Sequence, residues 1–133
     1  MSSYFLWCII CTKKSLKTRI KNNKQKIAKI INSGLLKKSA KSLLFFNAGN
    51  AAYTLKDFKM AEKYFSMSID FDDNYSPAFL NRANTRINLG NLKEALSDYK
   101  KYLELEPAST QKDVIENLII AVSEKLSIDE ATE

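Results

Sequence analysis

The sequence predicts an all-α fold: a right-handed solenoid of antiparallel helix pairs, with a C-terminal capping helix and a basic N-terminal helical arm. Three observations carry this. A shift of 34 residues lays 42–75, SLLFFNAGNAAYTLKDFKMAEKYFSMSIDFDDNY, on 76–109, SPAFLNRANTRINLGNLKEALSDYKKYLELEPAS, without a gap. Apolar residues recur at helical spacing twice within each unit. A short turn signal, Gly90-Asn91 in the second unit, separates the two runs.

In that register Phe45 falls on Phe79, Asn47 on Asn81, Asn50 on Asn84, Leu55 on Leu89 and Ala61 on Ala95. Phe65 then falls on Tyr99, Ile69 on Leu103 and Phe71 on Leu105. A fixed period of this size marks stacked units, each with an apolar face that only its neighbour buries. In the second unit Phe79, Ala83 and Ile87 step along a first helix, and Leu92, Ala95, Leu96, Tyr99 and Leu103 mark a second. Gly90 takes the left-handed conformation that ends a helix without a Cβ clash, so the chain reverses there. Lys56-Asp57 holds the same place one period earlier, where the left-handed turn costs more. Small residues, Gly49 and Ala83 on the first helices and Ala61 and Ala95 on the second, let the helix axes approach closely.

The two units resemble tetratricopeptide repeats. The residues that carry the resemblance are Phe45, Gly49, Leu55, Ala61, Phe65 and Ile69 in one unit, and Phe79, Ala83, Leu89, Gly90, Ala95, Tyr99 and Pro107 in the other. It covers residues 42–109, about half the chain. There are departures: Asp73 stands where Pro107 stands one period later, Arg82 and Arg86 replace usual apolar residues, and Tyr102 replaces a usual alanine.

Two units are fewer than such stacks need, so flanking helices should cap them. Residues 110–126 form the expected closing helix, with Val114, Leu118, Ala121, Val122 and Lys125 along one side and Glu116, Ser123 and Glu124 on the other. The acidic tail 127–133 is expected to fray.

Charge divides the chain unevenly. Residues 1–41 hold eleven Lys or Arg and no acid, whereas 42–133 hold ten against fifteen Asp or Glu. A basic arm therefore precedes a mildly acidic repeat domain, 42–126, and the net +6 averages two different surfaces. The arm starts with YFLWCIIC, residues 4–11, less than half the ~20 apolar residues of a spanning helix. It lacks the basic start of a secretory signal, so the expected location is cytoplasmic, with membrane association as the alternative. The run reads as a strip packed on the repeats, as a shallow anchor backed by lysines, or as the end of a longer segment. After it, Leu16, Ile20, Ile27, Ile31 and Leu35 recur with lysines between them. They form either an amphipathic cover for the first repeat or a surface for anionic lipid. Clustered lysine also favours nucleic acid, but no reading motif or arginine-rich stretch accompanies it, so that partner is not expected.

The residue inventory argues against catalysis and against cofactors. Histidine is absent, which removes the commonest general base and the usual partner of a serine or cysteine nucleophile. Trp7-Cys8-Ile9-Ile10-Cys11 lacks the strand and helix start that a redox pair needs, and two cysteines cannot close a zinc site. Asp70, Asp72 and Asp73 read as a solvated turn rather than a metal site.

What remains is a binding surface. In the tetratricopeptide family the first helix of each unit lines the concave face. By that resemblance the face here holds Phe46, Asn47, Asn50, Tyr53, Leu80, Asn81, Asn84 and Asn88, continued by Ile115 and Leu118 from the closing helix. Amides at matching places, Asn47 with Asn81 and Asn50 with Asn84, suit the main chain of an extended peptide, while Phe46, Tyr53 and Leu80 take its apolar side chains. Alternatively the asparagines bond one another. Some relatives clamp the C-terminal carboxylate of heat-shock chaperones. Asn50 and Asn81 fit that pattern, but Phe46, Gln111 and Ile115 occupy places where it requires basic residues. The implied partner is a less anionic peptide or a helix, and the implied role a non-catalytic adaptor. An exposed stack end also leaves self-association open.

Overall fold

The computed structural model describes residues 2–32 and 37–132; within the first helix, the side chains of residues 2–13, 16, 20 and 31 lie outside the description. Among these residues every regular element is an α-helix. In order they are α1 (Ser2–Asn32), α2 (Lys38–Thr54), α3 (Phe58–Phe71), α4 (Ser76–Leu89), α5 (Leu92–Leu105) and α6 (Lys112–Ala131). They fall into two units, Met1–Lys37 and Lys38–Glu133.

The first unit holds α1, in which the apolar start and the lysine-rich stretch form one continuous helix of 31 residues. Trp7, Cys8 and Cys11 are among the side chains outside the description, and so is Leu35. Lys38 and Lys41, in the basic stretch by sequence, belong to the first turn of α2.

The second unit is the solenoid. Helices α2 and α3 pair as one hairpin and α4 and α5 as the next, with α3 packed on α4 and α5 on α6. The two hairpin turns are built alike. Gly90 is left-handed at φ 80°, and the Asn91 N–H closes back on the Arg86 carbonyl at 2.9 Å. One period earlier Lys56 is left-handed at φ 60°, and the Asp57 N–H reaches the Ala52 carbonyl at 3.0 Å. Both are helix-ending turns in which a six-residue closure satisfies a carbonyl that the helix leaves open. Asp57 then caps α3, its side chain accepting from the Met60 N–H at 3.1 Å.

Small residues sit at the helix contacts, as the 34-residue register implies. Ala61, Ala78, Ala83 and Ala95 are wholly buried. A Cβ built on Gly49 would lie 2.5 Å from the Phe65 ring, so α2 and α3 meet where only glycine fits. The apolar interior has two parts: Ala52, Ala61 and Phe65 with Phe46 and Tyr64, and Phe79, Ala83, Ala95, Tyr99, Tyr102 and Ile115. Leu55, although it matches Leu89 in the repeat, is 81% exposed, because α2 ends at Thr54 and Leu55 lies in the turn.

Polar groups bind the helices as well. Ser68 Oγ donates to the Ser42 carbonyl at 2.8 Å, joining α3 to the start of α2. Arg82 and Arg86, the two departures from the apolar pattern, anchor α4 on both neighbours. Arg82 meets both Asp98 oxygens, at 2.9 and 2.7 Å, and donates to Ser66 Oγ at 3.1 Å. Arg86 bridges Asp98 at 2.7 Å and Glu62 at 2.8 Å. Asp98 is buried, so a charge that costs much to desolvate is met by two guanidinium groups.

Helix α6 differs from expectation in two respects. Its inward side is Ile115, Ile119, Val122 and Leu126, while Val114, Leu118 and Ala121 face outward. Apolar residues fill so much of 114–122 that the period fits two faces, and packing of Ile115 against Tyr99 and Tyr102 selects one. The expected frayed tail is instead helical to Ala131. A contact between Lys93 and Glu130 at 2.8 Å reaches the last turn, but both side chains are well exposed and the pair adds little.

The two left-handed turns predict substitutions of opposite sign. Lys56→Gly should raise stability by about 1 kcal/mol and Gly90→Ala should lower it by about as much, read by thermal denaturation. A Lys56→Gly protein no more stable than the parent would show that the first turn is unstrained. Removing the buried acid has a larger effect. Asp98→Ala leaves two arginines facing each other and should cost roughly 3–5 kcal/mol in denaturant unfolding. A cost under about 1 kcal/mol would mean that the cluster is solvated.

Candidate functional site

The residues that read as a concave face come from two helices that share a side of the solenoid. On α2, Asn50 and Tyr53 are three residues apart, and on α4, Asn81 and Asn84 are too; such spacing puts each pair on one helical face. These four line a pocket of about 120 Å³. Asn81 Nδ2 donates to Asn50 Oδ1 at 2.7 Å across the helix pair. Asn84 Oδ1 accepts from the Tyr99 hydroxyl at 2.6 Å. Asn88, one turn beyond, donates to the Tyr53 hydroxyl at 3.1 Å and to the Asn84 carbonyl at 2.9 Å.

The asparagines bond one another in part. Asn50 and Asn81 bond each other, and each keeps capacity in reserve. Asn50 accepts through its oxygen, leaving its amide N–H groups for the pocket; Asn84 accepts from Tyr99 and likewise keeps its N–H groups. Asn81 retains an acceptor oxygen. The lining carries no charge, and hydrogen-bond donors predominate.

The other expected residues are distributed around this centre. Asn47 is exposed one turn ahead of Asn50. Phe46 is half-buried, its ring 5.8 Å from Phe65 and edge-on to Tyr75 at 5.2 Å, so it serves the first core and only rims the face. Leu80 packs similarly against the second core. Ile115 does not join the face: it is 2% exposed, inside the second core. Leu118 remains open at 40%.

Tyr99 is the site residue that sequence reasoning missed. It is 2% exposed, yet its hydroxyl reaches the pocket wall. A signal existed. Tyr99 replaces Phe65 one period on, so only the second unit carries a hydroxyl behind its asparagine. Asn84 is held by that hydroxyl, whereas Asn50, backed by a bare ring, turns to Asn81 instead.

Burial pushes the Tyr99 phenol above its ordinary value of 10.0, with the neighbouring Tyr53 adding to the shift. Tyr75 is raised too, by burial and by Asp72. Among the described residues no group of three or more metal-ligating side chains forms.

The fold has counterparts among known proteins. The family description "Tetratricopeptide repeat" matches residues 76–109. The second TPR domain of human RPAP3, solved with the HSP70 peptide SGPTIEEVD, is 32% identical with a TM-score of 0.56, over 63% of this chain and 68% of that one. The first TPR of Spaghetti (RPAP3), solved with the HSP90 peptide SRMEEVD, is 25% identical with a TM-score of 0.59, over 86% and 89%. Protein STIP1 homolog of Dictyostelium discoideum is 37% identical over 67 residues, half of this chain but 12% of that protein. The chain thus spans only a small part of the curated relatives it matches.

The raised tyrosine has a consequence for stability. Above pH 10 the unfolded chain releases its phenolic protons while folded Tyr99 keeps its own, so the unfolded state binds fewer protons and stability falls as pH rises. Tyr99→Phe should flatten part of that alkaline decline in melting temperature and cost about 1 kcal/mol at neutral pH. An alkaline limb identical in the variant would remove Tyr99 as its source.

Proposed function

The chain belongs to the tetratricopeptide repeat family, and on that premise we propose that it is a non-catalytic adaptor that grips an extended, uncharged peptide segment of another protein. The observation that carries this is the convergence of Asn50 and Asn84 on one pocket, with their amide N–H groups uncommitted. A peptide main chain offers carbonyl oxygens at regular spacing. Amide donors on successive helices match them, and the remaining Asn81 oxygen suits a peptide N–H.

The peptides bound by the RPAP3 domains end in acidic residues. This pocket is built for a different end. Where cations would be needed, Phe46 is packed on aromatic rings and Ile115 is enclosed by the core. An acidic C-terminus would lose its hydration here without a compensating charge. Apolar side chains of the partner instead meet Tyr53, the rim of Phe46 and Leu80, and exposed Leu118. The pocket lining, Asn50, Tyr53, Asn81 and Asn84, holds neither a carboxylate nor a histidine, and the proposed activity is binding.

An array of nine-residue peptides graded in charge tests this, each made with a free and an amidated C-terminus. The protein should select neutral sequences containing an apolar residue and ignore the state of the terminus. Asn50→Ala with Asn81→Ala should weaken capture by roughly tenfold or more through loss of the Asn50 donor and the Asn81 acceptor. Selection confined to acidic peptides with a free carboxylate would overturn the neutral reading; undiminished capture by the double variant would remove the asparagine pocket.

A further inference from the structure

We infer that α1 is a membrane-surface helix whose partner is an anionic lipid bilayer. Like-charge crowding disfavours α1 as an isolated helix. Between Lys13 and Lys29 it carries eight Lys or Arg, and residues 1–41 contain no acid to pair with them. Lys13 with Lys17, and Lys17 with Lys21, stand four apart; Lys14 with Lys17, Lys21 with Lys24, and Lys26 with Lys29 stand three apart. At these spacings like charges are neighbours on the helix surface and repel. The side chains described from Lys14 to Asn32 are all exposed. Such a helix needs a counter-surface, and the sign of the charge requires it to be negative.

Helical register says what kind. At about 100° per residue, Lys13, Lys14, Lys17, Lys21 and Lys24 share an arc of roughly 100°. Leu16, Ile20, Ile27 and Ile31 occupy the adjacent arc of about 60°, and Arg19 and Lys26 stand beyond its far edge. An apolar stripe with cations along both borders is the arrangement of a helix that lies in the headgroup plane. The stripe enters the acyl boundary, and the flanking ammonium groups rise to the phosphates. Ile27, already half exposed at 50%, is one member of that stripe.

The apolar run at residues 4–11 strengthens the choice of lipid. It lies in the same continuous helix as the lysines and supplies burial that a polyanion such as duplex nucleic acid has no means to reward. Among the described residues no helix is long and apolar enough to cross a membrane. Charge attraction and apolar burial act together, the two signals that stable peripheral attachment requires. This inference is independent of the peptide reading, which concerns the other unit.

Co-sedimentation of the full chain with vesicles tests it. Binding should be strong to phosphatidylcholine vesicles containing a third phosphatidylserine, should be roughly a hundredfold weaker to phosphatidylcholine alone, and should decline with salt. Replacing Lys13, Lys14, Lys17, Lys21 and Lys24 by Gln should reduce the anionic partition by roughly a hundredfold. Leu16→Asp with Ile20→Asp should reduce it by about tenfold or more with every lysine in place. Thermal unfolding of the repeat unit and capture by the peptide array should be unchanged in both variants, which separates loss of this surface from loss of the fold or of the adaptor activity. Equal sedimentation with neutral and anionic vesicles would overturn the proposal. So would displacement by duplex DNA together with an unaltered Leu16, Ile20 variant, which would make the helix a nucleic-acid contact.

Discussion

A Cβ at residue 49 would stand 2.5 Å from the Phe65 ring, so the contact between α2 and α3 closes where a methyl group is missing. The consequence extends along α2. With Gly49 pressed on the ring, the next residue, Asn50, and Tyr53 one turn further are turned toward α4 rather than into the hairpin. The rotation of α2 about its axis, and hence the wall of the pocket, is set by an interior contact that no ligand touches. The Ser42–Ser68 bonds at the other end of the same helix pair hold the two helices in register. On α4 the same work is done by charge: Arg82 and Arg86 tie one side of the helix to α3 and α5 while Asn81 and Asn84 occupy another. A network of this kind contributes modestly to net stability, but it leaves α4 few alternative rotations.

The two repeats occupy one backbone plan with divergent chemistry. Lys56 and Gly90 adopt the same left-handed conformation, one with a side chain that opposes it and one without. Phe65 and Tyr99 fill equivalent holes, and the single extra oxygen on Tyr99 decides how the asparagine in front of it is oriented. Duplicated units therefore make an asymmetric pocket. Asn84 is fixed from behind by a buried phenol, whereas the side chains of Asn50 and Asn81 are held by each other.

The period of 34 residues makes most of the backbone plan legible in the sequence. It located both hairpins, the turn at Gly90 and its strained counterpart at Lys56, whereas Asn50, Asn81 and Asn84 were singled out by the family resemblance. It did so because stacked helices repeat their burial pattern, and the pattern survives where individual residues change. Three features escaped it for identifiable reasons. Leu55 kept its apolar identity at a place the turn exposes, since hydrophobicity marks a position only where packing uses it. Helix α6 has too many apolar residues to show one face, so the burial of Ile115 had to be settled by shape against Tyr99 and Tyr102. The arginines read as departures from an apolar site, and their partners, Glu62 and Asp98, lie in other helices at spacings no local pattern contains.

The neutrality of the pocket has a thermodynamic side that bears on what an adaptor of this kind does. Hydrogen bonds from an amide to a peptide carbonyl replace bonds to water, so each contributes only about 0.5–1.5 kcal/mol, while an unmatched partner group carries the full desolvation penalty. In the proposed role, Asn50 and Asn84 would therefore reject misaligned chains more strongly than they hold aligned ones. In that role affinity would come from apolar burial along exposed Tyr53 and Leu118 and the partly buried Leu80. The combination favours a ligand read by register and shape, bound weakly enough to exchange, over one held by charge.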